Sequence, residues 1–310
     1  MPDYTIIDAH VHTYPSCEIG RQAMMGSGRT DYGGTPDELL AIMDGAGIRQ
    51  AVMVNMTPVA DMRDAALAKL PPNLSPAQRT QAEADIDRQL IGRLQRRNQW
   101  TCQVAREHPR LVPFIGLDPC MSEAELLQEV EARHSEGAAG IKLHPAAQRF
   151  YPDDRRLFPV YDRAQALGLP IIYHSGAFVL GPNPSDHAHP RRFPDVLAAF
   201  PRLTVVLGHA GFGDFAACGE LARQFPNVFF DCCAVINGTE PSPTLSDGEA
   251  AAAIRLVGAD RIMFGSDYPW FDPALDAARL QRLPLADPEK RAVLYDNAVR
   301  ILRLEDSPGP

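Results

Sequence analysis

No apolar run in this 310-residue chain approaches the roughly eighteen residues a membrane-spanning helix needs; runs such as Pro170-Ile-Ile-Tyr173 and Leu203-Thr-Val-Val-Leu207 stop far short. No membrane partner is therefore expected. Basic charge is also in short supply. Thirty Lys+Arg against 39 Asp+Glu leave a net charge of −9, the opposite of the footprint that nucleic acid requires. The opening Met1-Pro-Asp-Tyr-Thr5 lacks the basic stretch and long hydrophobic region of a secretion signal, so the chain reads as cytoplasmic. Six cysteines, at positions 17, 102, 120, 218, 232 and 233, form no C-x-x-C pair, which excludes a zinc ribbon and a disulfide framework. Nothing in the sequence pairs Cys232 or Cys233 with a base, so no catalytic thiol is expected, and as strand neighbours only one of them can face a central pocket. A G-x-x-x-x-G-K-[ST] loop, a dinucleotide fingerprint and a 20 to 50 residue repeat are all missing, which removes nucleotide chemistry and solenoid folds.

What is present is core-forming sequence: 45% hydrophobic and 22% charged residues, read as one domain spanning residues 1–310. Short apolar runs bounded by Gly and Pro predict strands at Thr5–His12, Ala51–Thr57, Leu111–Pro119, Gly140–Pro145, Pro170–Gly176, Leu203–Gly211, Val228–Ala234 and Arg261–Pro269. Their near-continuous hydrophobicity suits strands covered on both faces. Helical patterns alternate with them, among them Pro36–Ala46 behind Thr35, Glu123–Ser135 behind Ser122, Leu157–Leu167 before Gly168, Arg192–Phe200, Phe215–Phe225, Asp247–Val257 and Pro288–Leu304. Eight strands in strict alternation predict a (β/α)8 TIM barrel with right-handed crossovers. Such barrels use about 250 residues. The surplus falls after strands 1 and 2, in Tyr14–Gly34 and in the stretch from Pro58 through the polar, Arg/Gln-rich Pro76–Glu107. Ser307–Pro310 reads as a frayed tail.

The chemistry concentrates at predicted strand ends. His10-Val11-His12 closes the first strand, and its i, i+2 spacing puts both imidazoles on one face, an arrangement that suits a divalent metal. His174 ends the fifth strand, His209 the sixth and Asp267 the eighth. In a barrel these ends share one rim, where side chains from around the circle converge. Histidines plus a carboxylate suit Zn²⁺ first, with Mn²⁺, Fe²⁺ and Co²⁺ also accepted. A second H-x-H, His187-Ala-His189, sits in a Pro-rich loop without strand rigidity and reads as a surface or substrate-contacting loop. Arg149, Arg155 and Arg156 read chiefly as a solvated charge cluster, with anion recognition as the alternative, and Trp270 as either packing or a substrate wall.

The motifs Asp8-Ala-His-Val-His12, Gly140-Ile-Lys-Leu-His-Pro145 and Gly265-Ser-Asp-Tyr-Pro269, with His174 and His209, resemble the amidohydrolase superfamily. The resemblance is to its amidohydrolase-related group, which contains the aminocarboxymuconate semialdehyde decarboxylase-like enzymes, and it spans nearly the whole chain. It implies a metal held by His10, His12, His174 and Asp267, with His209 beside it as a catalytic or second-metal histidine. Lys142 stays open: a carboxylated lysine bridging two ions, an ammonium that binds a substrate carboxylate, or a structural ion pair. The site accordingly holds one ion, or two if Lys142 is carboxylated. His144 shares the lysine's strand face.

The expected activity is hydrolysis of an amide, ester or lactone of a small organic acid by metal-activated water, with Asp267 as proton carrier and His209 or the metal stabilising the oxyanion. The alternative is metal-dependent, non-oxidative decarboxylation of an aromatic or unsaturated acid, with Asp267 or His209 protonating the carbon and Lys142 or one of the nearby arginines supplying a cation. A third reading is a metal-stabilised binding protein without catalysis, disfavoured by the full set of strand-end ligands. The expected partner is a small carboxylate-bearing substrate. A homodimer is the commonest state for such enzymes, and Pro76–Glu107 is a candidate interface.

Overall fold

The computed structural model of the chain describes residues 4–25, 27, 31–176, 185–239 and 245–304. The expected frayed tail, Ser307–Pro310, lies outside the described residues. Eight strands form one parallel sheet in sequence order: β1 (Ile6–Val11), β2 (Ile48–Val54), β3 (Leu111–Gly116), β4 (Gly140–Leu143), β5 (Ile171–His174), β6 (Val205–Gly208), β7 (Val228–Asp231) and β8 (Ile262–Met263). The sheet curls until its two edges meet. Ala9 N–H donates to the Phe264 carbonyl (2.9 Å), His12 N–H to the Tyr268 carbonyl (2.7 Å) and Asp267 N–H to the His10 carbonyl (2.8 Å), and a parallel bridge joins Val11 to Tyr268. The expected TIM barrel is thereby formed.

Helices return the chain between strands and start where their sequences cap them. Ser75 and Ser122 each accept a hydrogen bond from the third helical N–H while Gln78 and Glu125 reach back to the cap, fixing the helices Pro76–Glu107 and Glu123–Ser135. The insertion after β1 contains the helix Cys17–Ala23, and the one after β2 contains Val59–Leu67 followed by Pro76–Glu107. Among the described residues no helix is long and apolar enough to cross a membrane.

Burial separates the barrel into layers. Leu39, Leu94, Val130, Val160 and Val196 lie in the shell between helices and sheet, against Ile48, Met53, Ile141 and Ile171. Inside the barrel, Ile7, Val52, Phe114, Ile172, Val206 and Met263 form a second cluster with Ala298, Ile301 and Leu302 of the helix Asn297–Leu302. This inner plug is the hydrophobic floor on which the polar rim stands. Gly140 opens β4 beneath it, and a methyl group there would overlap the Phe114 ring. Gly140→Ala is expected to cost about 1–3 kcal/mol of stability by overpacking, read as a lower denaturant midpoint at unchanged slope.

The strands end earlier than their apolar runs. Predicted strands reach His12, Gly211 and Pro269, yet β1 stops at Val11, β6 at Gly208 and β8 at Met263. The chain leaves the sheet in left-handed turns, with φ of 59° at His209, 41° at Ala210 and 66° at Asp267. Buried turns remain apolar, so hydrophobicity alone extends the strand. The predicted helix Pro288–Leu304 is likewise broken by a wider turn over Ala292–Asp296.

Candidate active site

Between Asp8 and Val11 the pairing of β1 with β2 shifts register. A shift of this kind re-aims side chains. Ile7 packs in the floor, and three residues on His10 also faces inward, meeting groups from β4, β7 and the turn after β8. His10 Nδ1 lies 2.8 Å from Asp231 Oδ2, both groups fully buried. Burial works to raise the Asp231 carboxyl, but His10 and His209 outweigh it and hold it well below the ordinary carboxylate range. Burial lowers the basicity of His10. The stable combination is an ionised Asp231 accepting the Nδ1 proton of a neutral imidazole, which turns the Nε2 lone pair of His10 toward the barrel axis.

Asp231 does more than fix that tautomer. Its other oxygen accepts hydrogen bonds from the backbone N–H of His209 (2.9 Å) and Cys233 (3.3 Å). One carboxylate thus ties β1, the turn after β6 and the end of β7. Holding a non-glycine residue such as His209 or Asp267 at positive φ costs of order 1–3 kcal/mol, and hydrogen bonds of this kind keep it there. Asp8 acts from below, its Oδ1 accepting the N–H of His10 (3.1 Å) and of Ser266 (3.0 Å).

One nitrogen each of His10 and His12 and one oxygen of Asp267 lie within 4.8 Å of one another. Asp267 Oδ1 is 3.4 Å from His12 Nε2 and 3.8 Å from His10 Nε2. Burial pushes the Asp267 carboxyl up, and the hydrogen bond with His12, followed by His209 and His10, pulls it well below its ordinary value. His12 is lowered, chiefly by burial, and His209 is brought down to about 4 by the same cause. At neutral pH the rim therefore holds a carboxylate among uncharged imidazoles, the protonation states that a divalent ion binds.

Of the other expected residues, His174 stacks face to face on His144, ring centroids 3.9 Å apart, and meets His209 edge-on at 4.5 Å. It stands against the cluster, although no described three-donor group includes it. Lys142 projects from β4 with its Nζ 3.1 Å from His10 Nε2 and is fully buried, which lowers its affinity for a proton. Trp270 packs its edge on His12 at 5.3 Å, and Phe212 stands 47% exposed above His209, so both wall the mouth.

The remaining candidates are engaged elsewhere. Arg149 pairs with Asp61 and Asp64, and Arg156 with Asp154, on exposed surface. Arg155 lies over the Phe158 ring. His187 stacks on Tyr151, and His189 accepts the N–H of Arg191 at the start of a short turn.

Two site residues escaped sequence reasoning. Asp231 ends β7 by the same rule that singled out Asp267, but the run Val228–Ala234 carries straight past it. Cys233 has the base that the sequence does not show: its Sγ lies 3.1 Å from His209 Nδ1. Burial, then the charge of Asp231, keeps the thiol protonated, so it donates to Nδ1 and leaves the histidine's own proton on Nε2. Its neighbour Cys232 packs in the outer shell instead, as strand alternation requires.

A family described as amidohydrolase matches residues 7–304. Among curated proteins, the chain is 24% identical over 199 residues to 2-amino-3-carboxymuconate-6-semialdehyde decarboxylase of Dictyostelium discoideum, covering 56% of this chain and 55% of that protein. It is also 24% identical over 246 residues to gamma-resorcylate decarboxylase of a Polaromonas species, covering 65% of this chain and 73% of that one. The chain thus spans little more than half the length of the first relative. Among solved structures, a Polaromonas dihydroxybenzoic acid decarboxylase with bound manganese and 2-nitroresorcinol superposes with a TM-score of 0.67 at 16% identity, covering 97% of each chain, a likeness of fold.

Proposed function

Since the chain belongs to the amidohydrolase family, we propose that it is a metal-dependent enzyme removing CO₂, without oxidation, from a small aromatic or unsaturated carboxylic acid. Hydrolysis, which the sequence placed first, yields to this alternative because the curated relatives are named decarboxylases. The observation that carries the reading is the donor group of His10, His12 and Asp267, with the buried Lys142 amine 3.1 Å from His10 Nε2.

The donor set fits a divalent ion. It offers two uncharged imidazoles, one of them oriented by a carboxylate, and an ionised aspartate, gathered at one point of the rim with His10 buried and His12 and Asp267 half-buried. His10, His12 and Asp267 would hold it, with His209, its ring 5.0 Å from that of His10, and beyond it His174 as further imidazoles. By donor type Zn²⁺ comes first, and the manganese of the superposed decarboxylase makes Mn²⁺ the next ion to test. Bound there, the ion supplies a fixed positive charge that orients substrate oxygens and stabilises negative charge as it develops.

The chain's own groups do the rest. Lys142, as an ammonium, meets the departing carboxylate at the inner end of the pocket. His209 presents its Nε2 proton as a hydrogen-bond donor, because the Cys233 thiol holds Nδ1. Asp267 carries the proton: it takes one up at its carboxylate and delivers it to the carbon. The electron pair of the breaking C–C bond becomes the new C–H bond, and CO₂ leaves.

The test supplies the metal-loaded protein with aromatic and unsaturated acids in D₂O, alongside amides, esters and lactones. CO₂ release in step with substrate loss, with one deuterium at the vacated carbon, is the expected result. Cleavage of the amides or lactones without CO₂ would return hydrolysis to first place. Asp231→Asn is expected to weaken Zn²⁺ binding about 10- to 100-fold, measured by competition with a chromophoric chelator, since the amide no longer anchors the His10 Nδ1 proton as an anion does.

A further inference from the structure

A guanidinium taken out of water is costly unless an anion accompanies it. Arg279, 3% exposed, follows that rule and pairs with Asp247. Arg97, half-buried on the long helix Pro76–Glu107, has no such partner. Its Nη2 donates to the carbonyl of Thr13, the residue after His12, and its guanidinium lies 4.8 Å from the centre of the Tyr14 ring and 4.9 Å from that of Trp100. Its Nε is sealed from solvent and has no hydrogen-bond partner. Among the described residues no carboxylate pairs with it, and the Tyr14 hydroxyl beside it makes no hydrogen bond.

The charge nonetheless persists. Burial brings Arg97 down to about 10, with Arg93 lowering it further against the pull of Tyr14, which leaves it protonated at neutral pH. Tyr14 links it to the reaction centre, for its phenol lies close enough to feel the charges of both Arg97 and Asp267. Two basic side chains therefore flank the segment that carries His10 and His12. Lys142 sits against His10, and Arg97 against the residue that follows His12.

We infer that Arg97 and the Tyr14 hydroxyl bind a second carboxylate of the substrate, set apart from the one that leaves, so that the preferred acids are dicarboxylates. The inference rests on the decarboxylase reading for which group departs, but the subsite itself is a matter of binding. The guanidinium meets a carboxylate through the Nη N–H groups that Thr13 leaves unused, and the phenol adds one donor. A planar fork suits this task as a lysine would not.

The test is equilibrium binding to the metal-loaded protein of benzene-1,3-dicarboxylate and, as the single-carboxylate control, benzoate. Wild type is expected to prefer the dicarboxylate at least tenfold. Arg97→Met, which retains an unbranched apolar side chain between the rings, is expected to bind benzoate as wild type does and to lose about 10- to 100-fold for the dicarboxylate. Circular dichroism and the thermal midpoint check its fold. Should that variant unfold, Arg97→Lys and Tyr14→Phe carry the test, each expected to weaken dicarboxylate binding severalfold while sparing benzoate. Equal affinity of wild type for the two acids, or an undiminished preference in the folded variants, overturns the inference. CO₂ release is scored separately. A preference that depends on Arg97 in a protein that decarboxylates nothing would sink the proposed reaction and leave the subsite standing; decarboxylation indifferent to Arg97 would do the reverse.

Discussion

Asp267→Asn is expected to lower kcat by about a thousandfold or more while the barrel stays folded. The two side chains are nearly the same shape, and asparagine is among the few residues that enter the left-handed region readily, so the φ of 66° at this position is kept. What changes is charge. Asp267 is ionised against a burial that opposes it, because His12, His209 and His10 converge on it. An amide in its place offers neither a full negative charge for a metal nor a site that takes up and releases a proton. Both losses fall on the same step. The measurement is kcat on the best acid from the substrate panel, with metal content and thermal midpoint determined in parallel. Activity above a tenth of wild type at full metal occupancy would remove Asp267 from proton transfer.

Stripping the metal with a chelator is expected to abolish turnover and to destabilise the protein, and added Zn²⁺ or Mn²⁺ should restore both. An ion present at a hundred times its dissociation constant stabilises the native state by about 2.7 kcal/mol. In a chain of this size that amounts to several degrees in the thermal midpoint. Acid is expected to act in the same direction as the chelator. His209 is lowered to about 4 by burial, so between about pH 6.5 and 4 the unfolded chain binds a proton that the folded rim refuses. Stability of the stripped protein is therefore full above about pH 6.5 and is lost as pH falls through that window. Calorimetry of the stripped and reloaded protein at pH 5 and 7.5 separates the two effects. Midpoints that do not move with metal would contradict a structural ion at this rim.

The barrel was legible in the sequence because its signals are local. Runs such as Ile171–His174 and Val205–Gly208 are apolar on both faces, and Thr35 and Ser122 mark helix starts within a few residues. The rim histidines were legible for the same reason, each being the polar residue at which an apolar run stops. The ends of the strands were not, since the left-handed turns at Ala210 and Phe212 carry ordinary side chains where glycine would have advertised the conformation. Asp231 was hidden because Cys232, Cys233 and Ala234 prolong the run beyond it. Arg97 was hidden by distance along the chain. It lies 84 residues from Thr13, and among the many arginines of a polar helix only the packing of that helix against the barrel distinguishes it. The anion-recognising arginines considered from sequence, which follow β4 directly, turned out to have carboxylates or rings of their own.

The division of the barrel interior into an apolar plug and a polar rim bears on how such a scaffold changes its diet. The plug joins Ile7, Val52, Phe114, Ile172, Val206 and Met263 to the helix Asn297–Leu302, and none of these residues faces the mouth walled by Phe212 and Trp270. Cohesion and selectivity are thus written in different parts of the chain. On the activity proposed above, variation at Tyr14, Arg97, Phe212 or Trp270 would explore new acids while the plug continues to hold the strands in register. By contrast, Asp231 belongs to both parts at once, orienting His10 while stitching three strands together, and is the position where such drift must stop.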